Sequence, residues 1–309
     1  MNIENIKTVL IAGSGTMGQQ IGFQCAASGY AVILYDISRD MLDKAMSRMG
    51  KLAKNYTSTG RLTEEGAREA IARIKTETDP VKAGRQADII SESVPEDPDL
   101  KGSVFAKFND ICPAHAIFTT NTSSLLPSSF AAATGRPDRF LALHFHDTRF
   151  TNVVDIMPHP GTSPDTVAAV EDFAKRIGQI PIVLKKENHG YVFNAMLTTL
   201  LESAQTLAEQ SIASVEDIDR AWMGVMHTAV GPFGIMDGIG IDTVYSITDY
   251  WAKKTGRPQQ AANARFLKQY VDKGCLGVKT GQGFYTYPGP AFQKPGFLQG
   301  EGPINPGTQ

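Results

Sequence analysis

A glycine-rich loop near the start of the chain has the residue types and spacing that bind a dinucleotide. Gly13, Gly15 and Gly18 form a GxGxxG pattern between a predicted strand and a predicted helix, and Asp36 lies 18 residues after Gly18, at the end of the next predicted strand. We expect the cofactor's pyrophosphate at the helix N-terminus and its adenosine ribose hydroxyls on Asp36. Asp36 would repel a 2′-phosphate, which favours NAD, although Arg39 leaves NADP open. The alternative is an ordinary glycine turn followed by a polar strand end.

Histidines in the middle of the chain are candidates for proton transfer. His144 ends a predicted strand, and histidine can take and return a proton near neutral pH, but a histidine in this position can also be a core residue. His146 would face the same side of the strand. With His159 nearby a metal site is conceivable, but zinc catalysis needs three placed ligands, and we predict no metal. His146 and Arg149 are better candidates for binding a substrate carboxylate.

Short apolar segments alternate with helical patterns over residues 1–187, which predicts a doubly wound, mostly parallel α/β sheet of the Rossmann type. From about residue 190 the patterns are helical, so an all-helical domain is expected over residues 188–287. An irregular tail is expected over 288–309, which holds five prolines and five glycines. The predicted strands are 7–12, 31–36, 87–90, 116–119, 139–144, 153–157 and 180–184, and the predicted later helices are 191–210, 215–226 and 241–253.

The composition is that of a globular protein with two domains. The chain has 309 residues, 42% hydrophobic and 20% charged, with a formal net charge of -2. No basic excess favours nucleic acid or an anionic membrane as a partner. Three distant cysteines without CxxC spacing indicate reduced thiols rather than disulfides or a zinc knuckle. Without a signal peptide or a bilayer-spanning apolar run, we expect a cytoplasmic location.

Eight ordered segments of the chain form a recognisable pattern. They are GSGTMG (13–18), SVPE (93–96), NTSSL (121–125), HF (144–145), GYVFN (190–194), GPF (231–233) with Asp237, GIDT (240–243) and KTGQGFY (279–285). Together they resemble the L-3-hydroxyacyl-CoA dehydrogenase family, along nearly the whole chain as far as Tyr287. Members of this family have a Rossmann-type domain followed by a helical domain that forms the dimer. The resemblance therefore implies a homodimer, for which the segment 231–233 and the helix 191–210 are the candidate interface.

The resemblance implies a catalytic set for oxidation of a hydroxyl group. His144 is the implied catalytic base, which takes the hydroxyl proton while hydride leaves C3 for NAD, and its imidazolium returns the proton in reduction. Ser123 and Asn194 are the implied donors to the reacting oxygen. Without the resemblance, these two residues could be a turn hydroxyl and a helix cap.

The resemblance also implies which residues contact the cofactor. Glu96 and Lys101 fall where the family contacts the nicotinamide end, although Glu96 with Asp97 and Asp99 could also be a solvated acidic turn. The implied cofactor contacts are Gly13, Gly15, Thr16, Met17, Gly18, Asp36, Val94, Glu96, Lys101 and Asn121.

The sequence departs from the family just after the histidine. The family usually continues with Phe-Asn-Pro and places a glutamate twelve residues after the histidine to orient its ring, whereas here His146 and Asp147 follow and the nearest acid is Asp155, eleven residues on. We hypothesise that Asp155 orients His144. Because a one-residue change reverses strand facing, residues 147–152 must then absorb the shift. Otherwise Asp155 is a strand-edge acid.

The second departure from the family concerns the basic residues that bind the CoA carrier of the acyl group. The helix pair 40–73, where the family contacts CoA, carries few basic residues, namely Lys51, Lys54 and Arg61, which any solvated helix face could hold. We predict an acyl-CoA substrate. Similarity to diketoreductases and to the gulonate dehydrogenase or lambda-crystallin branch leaves two alternatives, a dehydrogenase of a free 3-hydroxy acid or diketo ester, and a non-catalytic NAD-binding protein of the crystallin kind.

Overall fold

The computed structural model describes residues 6–300 of the chain. These residues form two compact units, which divide between Val192 and Phe193. The boundary predicted after residue 187 lies five residues before this division. No helix within the described range is both long and apolar enough to cross a bilayer.

The first unit is built on one eight-stranded sheet with the strand order β3-β2-β1-β4-β5-β6-β7-β8. Neighbouring strands are parallel except β6 and β7, which are antiparallel. The predicted class, a Rossmann-type doubly wound sheet followed by a helical domain, is confirmed. The strands are β1 (Thr8–Ala12), β2 (Ala31–Tyr35), β3 (Ile74–Glu77), β4 (Ile89–Glu92), β5 (Ile117–Thr120), β6 (Phe140–Phe145), β7 (Val153–Pro158) and β8 (Ile180–Val183).

Helices cover both faces of this sheet. Side chains alternate along a strand, so Val9 and Ile11 of β1 join one buried cluster with Phe23 and Phe173, while Leu10 packs into another. Burial on both faces explains why the central strands are continuously apolar rather than alternating. The helices of this unit are α1 (Thr16–Ala27), α2 (Arg39–Ser58), α3 (Glu64–Ala72), α4 (Pro80–Gly84), α5 (Pro98–Asn109) and α6 (Pro164–Arg176).

The strand β3 was not among the predicted strands. Its sequence IKTE contains one buried apolar residue, Ile74, so it shows neither a continuous apolar run nor an alternating pattern. It is hydrogen-bonded to β2 at the edge of the sheet. Backbone pairing with a neighbour, rather than its own side chains, makes this segment a strand.

The second unit is helical, as predicted, and its core includes Phe233, Met236 and Leu267. The helices α9 and α11 were not among those predicted. The helices are α7 (Phe193–Glu209), α8 (Val215–Met226), α9 (Pro232–Ile239), α10 (Ile241–Thr255) and α11 (Pro258–Val271).

The predicted irregular tail packs on the helical unit as far as it is described. It forms two short 3-10 turns, at Ala291–Gln293 and Phe297–Gln299. The Phe297 side chain is buried, and its carbonyl oxygen accepts a hydrogen bond from Nε of Arg220 at 2.6 Å. Residues 301–309 of the predicted tail lie outside the described residues.

Candidate active site

The glycine loop follows β1 and leads into α1, and its three glycines serve different purposes. Gly13 has φ +108°, and a Cβ there would lie 2.6 Å from the carbonyl oxygen of Ser93. A Cβ on Gly18 would overlap the carbonyl oxygen of Gly13. By contrast, Gly15 has φ −64° and a Cβ there would meet nothing within 4 Å. Packing within the protein therefore does not require glycine at position 15. A ligand that approaches the backbone closely would require it.

The N-terminus of α1 fits a pyrophosphate group. The helix begins at Thr16. Its N-cap residue, Gly15, has no side chain that could cap the helix, and its first turn contains no acidic residue. The amide groups of Thr16, Met17 and Gly18 are therefore at an uncapped helix end with its positive dipole. The loop residues predicted to bind the dinucleotide have the geometry that this role needs.

Asp36 follows β2 and is connected to the glycine loop. Its Oδ2 accepts hydrogen bonds from the backbone N of Ser14 at 3.0 Å and from Oγ of Ser14 at 2.7 Å. Its Oδ1 accepts from the backbone N of Ser38 at 3.1 Å. A carboxylate has about four acceptor positions, so Asp36 can also accept from ribose hydroxyls. The nearby cation Arg39 donates to Oγ1 of Thr76 at 3.2 Å.

Two of the predicted cofactor contacts, Glu96 and Lys101, belong to a cluster of charges around the buried Lys101 side chain. The Lys101 side chain is 1% exposed, and its Nζ lies 2.8 Å from Oε1 of Glu92, 3.2 Å from Oε2 of Glu96 and 3.2 Å from the Val94 carbonyl oxygen. Burial raises the pKa of Glu92, although the attraction of Lys101 opposes this rise. Lys101 thus holds Glu96 and Val94 in place. Glu92 was not among the residues predicted from the sequence, where its position at the end of an apolar strand was the available signal.

Glu96 connects this cluster to the loop that carries Ser123. Its Oε1 accepts hydrogen bonds from Oγ1 of Thr122 and, at 2.8 Å, from Oγ of Ser124. Burial raises the pKa of Glu96, but the hydrogen bonds from Thr122 and Ser124 and the charge of Lys101 outweigh burial and leave the pKa below its usual value. Glu96 is 39% exposed, but it is an ionised group with fixed hydrogen-bond partners.

The residues 121–125 follow the end of β5 and begin the connection to β6. Oδ1 of Asn121 accepts a hydrogen bond from the backbone N of Phe145 at 2.7 Å, directly beside His144. Ser123 is exposed, and its hydroxyl has no hydrogen-bond partner within residues 6–300. The loop thus presents a free hydroxyl from a backbone that is fixed on both sides.

His144 and Asp155 are directly opposite each other in the antiparallel pair β6 and β7. Nδ1 of His144 lies 3.1 Å from Oδ2 of Asp155, and both side chains are buried. Burial raises the pKa of Asp155, but hydrogen bonds from His144 and His146 outweigh it, so that the pKa is below its ordinary value. An ionised Asp155 favours the proton on Nδ1 and leaves the lone pair of Nε2 for a substrate. The contact that the orienting hypothesis requires is present.

His146 is the second histidine of this cluster. Its Nε2 lies 3.2 Å from the same Oδ2 of Asp155, and the rings of His144 and His146 are 4.7 Å apart in an edge arrangement. His159 is not part of the cluster, because its Nε2 lies 2.8 Å from the carbonyl oxygen of Pro137. His146, which we predicted to bind substrate, instead shares the carboxylate that holds His144.

Tyr191 is a site residue that the sequence reasoning did not single out. Its ring stacks on His144, with centroids 4.8 Å apart and planes at 28°, and its hydroxyl donates to the Thr122 carbonyl oxygen at 2.7 Å. Its φ is +55°, a conformation that costs energy for a bulky residue and is found where the surroundings enforce it. The aromatic residue inside the GYVFN segment was the available signal.

The loop 146–152 absorbs the one-residue shift and is anchored to the helices. The backbone N of Thr148 donates to Oε1 of Gln20 at 2.8 Å, and its carbonyl oxygen accepts from Arg61 at 3.0 Å. Arg149 forms an ion pair with Asp147, with NH2 2.5 Å from Oδ2. Arg149 thus has an acidic neighbour while 51% of its side chain is exposed, and its predicted contact with a substrate carboxylate stays a prediction. Asn194 is the second residue of α7 and belongs to the second unit.

Fold and site together define a dinucleotide-dependent oxidoreductase. The sequence models of 3-hydroxyacyl-CoA dehydrogenase match both parts of the chain, the NAD binding domain over residues 8–188 and the C-terminal domain over residues 190–287. The chain belongs to the 3-hydroxyacyl-CoA dehydrogenase family. It is an NAD-dependent enzyme that acts on a CH–OH group.

Individual relatives agree with this family. The mitochondrial hydroxyacyl-coenzyme A dehydrogenase of Rattus norvegicus is 33% identical over 290 residues, 91% of each chain. The structure of (S)-3-hydroxybutyryl-CoA dehydrogenase from Ralstonia eutropha matches with 32% identity and a TM-score of 0.83, over 92% of this chain and 99% of that one. A diketoreductase structure, described for catalysis on dicarbonyl compounds, matches with 40% identity and a TM-score of 0.84, over 91% of this chain and 99% of that one.

Proposed function

We propose that this enzyme transfers hydride between NAD(H) and C3 of a 3-hydroxyacyl or 3-oxoacyl group carried as a CoA thioester. The observation that carries the proposal is the buried contact between Nδ1 of His144 and the Asp155 carboxylate. It gives the chain a histidine with a fixed ring and a fixed proton position, which is what a general base for a hydroxyl group needs. The family match and the similarity to 3-hydroxybutyryl-CoA dehydrogenases support C3 as the reacting carbon.

In oxidation, Nε2 of His144 takes the proton of the substrate hydroxyl. The carboxylate of Asp155 stabilises the positive ring that results, and the stacked ring of Tyr191 keeps the imidazole from turning. NAD held by the glycine loop and Asp36 would supply the hydride acceptor for oxidation, and NADH the hydride donor for reduction. In reduction, His144 returns its proton to the oxygen on C3.

The reacting oxygen needs hydrogen-bond donors while negative charge develops on it. Ser123 can supply one, because its hydroxyl is exposed on a loop whose backbone is held by Glu96 and Asn121. We assign the second donor to Asn194 near the start of α7, on the strength of the family pattern.

The cofactor is held by the first unit. The loop around Gly15 and the N-terminus of α1 bind the pyrophosphate, and Asp36 binds the adenosine ribose. Glu96 and Asn121 would contact the nicotinamide end, as the family pattern implies.

A substrate panel tests the proposal. NADH oxidation is followed with acetoacetyl-CoA, free acetoacetate and a β,δ-diketo ester at equal concentrations. We expect the highest kcat/KM with the thioester. Absence of turnover with every CoA thioester, together with turnover of a free compound, would contradict the assigned carrier.

The second candidate substrate is a dicarbonyl compound without CoA. It is favoured by the 40% identity with a diketoreductase and by the state of the predicted CoA cations. All three predicted cations are exposed, but Arg61 stacks over the ring of Tyr56 at 3.9 Å and donates to the Thr148 carbonyl oxygen, so that among the described residues only Lys51 and Lys54 have side chains without a protein partner. The same panel separates this candidate from the first.

A homodimer in the cytoplasm is part of the proposal. The second unit exposes apolar side chains that a second copy could cover, among them Phe193, Met196, Ile212, Val225, Met226, Ile247 and Tyr250. Sedimentation equilibrium should give twice the 33.4 kDa chain mass. A concentration-independent monomer would contradict the dimer.

A further inference from the structure

Three side chains on neighbouring strands bring metal-ligand atoms together. Ligand atoms of His144, His146 and Asp155 all lie within 4.8 Å of one another. Each histidine nitrogen that faces the acid is 3.1–3.2 Å from the same carboxylate oxygen. Ligands of tetrahedral Zn²⁺ at about 2.0–2.2 Å from the ion are separated by about 3.3 Å, so both histidine–aspartate distances already match a coordinated ion.

The types of ligand favour zinc over the other common divalent cations. Two imidazoles and one carboxylate suit Zn²⁺, whereas Mg²⁺ and Ca²⁺ require mainly oxygen ligands. All three side chains are buried or nearly so, with His146 the most exposed at 15%. Three protein ligands leave one coordination position for water or for the oxygen of a substrate.

We propose that His144, His146 and Asp155 form an inhibitory Zn²⁺ site, in which metal and catalysis compete for His144. Coordination through Nδ1 of His144 requires the lone pair of that nitrogen, so the ring proton moves to Nε2. With Nε2 protonated, the ring can no longer accept the hydroxyl proton. No atom is oxidised or reduced, and the proton is transferred only between the two nitrogens of one ring. The inhibitory consequence depends on the proposed role of His144 as the base, but the metal site itself does not.

Two readouts on the full-length protein test the site. Calorimetric titration with Zn²⁺, and the visible spectrum with Co²⁺ as a probe of tetrahedral coordination, measure binding without turnover. Wild-type protein should bind one Zn²⁺ at this cluster. His146→Gln should weaken binding by more than about 100-fold, since even the outer partners of a metal ligand are worth about 10- to 100-fold in affinity.

The chain provides a matched control in His115, an exposed histidine whose Nε2 lies 2.9 Å from Oδ1 of Asp88. This is a histidine–aspartate pair to which the structure brings no second histidine among the described residues. His115→Gln should leave the affinity for Zn²⁺ unchanged. Equal affinity of wild type and His146→Gln, or absence of a tetrahedral Co²⁺ spectrum in wild type, would overturn the site.

Inhibition is measured separately, as the ratio of turnover with and without Zn²⁺ for each variant in the oxidation of 3-hydroxybutyryl-CoA by NAD, the direction in which His144 must accept a proton. General-base catalysis typically contributes about 10²- to 10⁴-fold, so saturation should reduce wild-type turnover by about 100-fold or more, reversibly on addition of EDTA. Binding without inhibition would overturn the inhibitory role. Wild-type protein that is inactive on every 3-oxo substrate in metal-free buffer would instead contradict the proposed function, and the binding titration would still decide the metal site.

Discussion

Replacing Asp155 with asparagine should separate the orientation of His144 from the rest of the reaction. The amide has nearly the shape of the carboxylate but no charge. It can turn its NH2 group toward Nδ1 of His144, which would favour the tautomer with the proton on Nε2. That tautomer cannot take a proton from the substrate.

The size of the effect follows from the contact that is lost. A hydrogen bond to a charged group contributes about 1.5–3 kcal/mol, and the pair here is buried with 3.1 Å between Nδ1 and Oδ2. If this energy stabilises the imidazolium in the transition state, kcat should fall about 10- to 150-fold, because about 1.36 kcal/mol corresponds to tenfold. Asp155 touches neither substrate nor cofactor in this account, so KM should change little.

The assay is steady-state oxidation of 3-hydroxybutyryl-CoA by NAD, the direction in which His144 takes the proton, at several substrate concentrations. Asp138→Asn is the control, since Asp138 is an exposed acid in a long 3.9 Å ion pair with Arg139 and its replacement changes the net charge equally. The free energy of unfolding of each variant is measured by urea titration, so that loss of folded protein is not taken for loss of catalysis. Full activity of a folded Asp155→Asn enzyme would refute the orienting role.

Three further predictions concern the cofactor site and the helical unit. Gly15→Val should raise Kd for NADH more than about tenfold, with little change in the midpoint temperature of thermal unfolding. Gly18→Ala should instead lower that midpoint, because its Cβ would overlap the backbone of Gly13. Equal effects of the two variants on stability would contradict this distinction. Asp36→Ser should shift the kcat/KM ratio toward NADPH by about tenfold or more, and an unchanged ratio would remove Asp36 from cofactor selection. Burial raises the pKa of Asp219 from 3.8 to about 6. Between these two pH values the folded protein keeps the proton of Asp219 while the unfolded chain has lost it. The free energy of unfolding should therefore fall by up to about 3 kcal/mol as the pH rises from 3.8 to about 6. Asp219→Asn should flatten this part of the pH profile of unfolding in urea, and an unaltered slope would show that Asp219 does not cause it.

The main elements of the fold could be predicted from sequence because periodicity and apolar runs are local signals. The strands flanking the glycine loop were placed within one residue, and α8 was placed at its observed bounds, Val215–Met226. The strand β3 was not predicted, because its pairing with β2 is a property of the sheet and its own residues are half exposed. The burial of Phe297 on the helical unit could not be predicted either, because its segment is rich in proline and glycine and shows no periodic pattern.

The site was predictable where single residue types carry the chemistry, as with His144 and the glycine loop. Spacing alone could not decide whether Asp155 reaches His144, because that depends on how residues 146–152 turn between two antiparallel strands. The ion pair of Arg149 with Asp147 could not be predicted for a related reason, since it depends on the loop conformation. The stacking of Tyr191 on His144 could not be predicted, because it depends on a left-handed backbone conformation at Tyr191 that its residue type does not indicate.

Transfer of deuterium from the reactive face of [4-²H]NADH to acetoacetyl-CoA tests the central claim most directly. The account predicts 3-hydroxybutyryl-CoA that carries one deuterium on C3, formed by wild type and reduced by about 100-fold or more in His144→Ala, in line with loss of a general acid–base group. Product without deuterium on C3, or His144→Ala with wild-type turnover, would contradict the account.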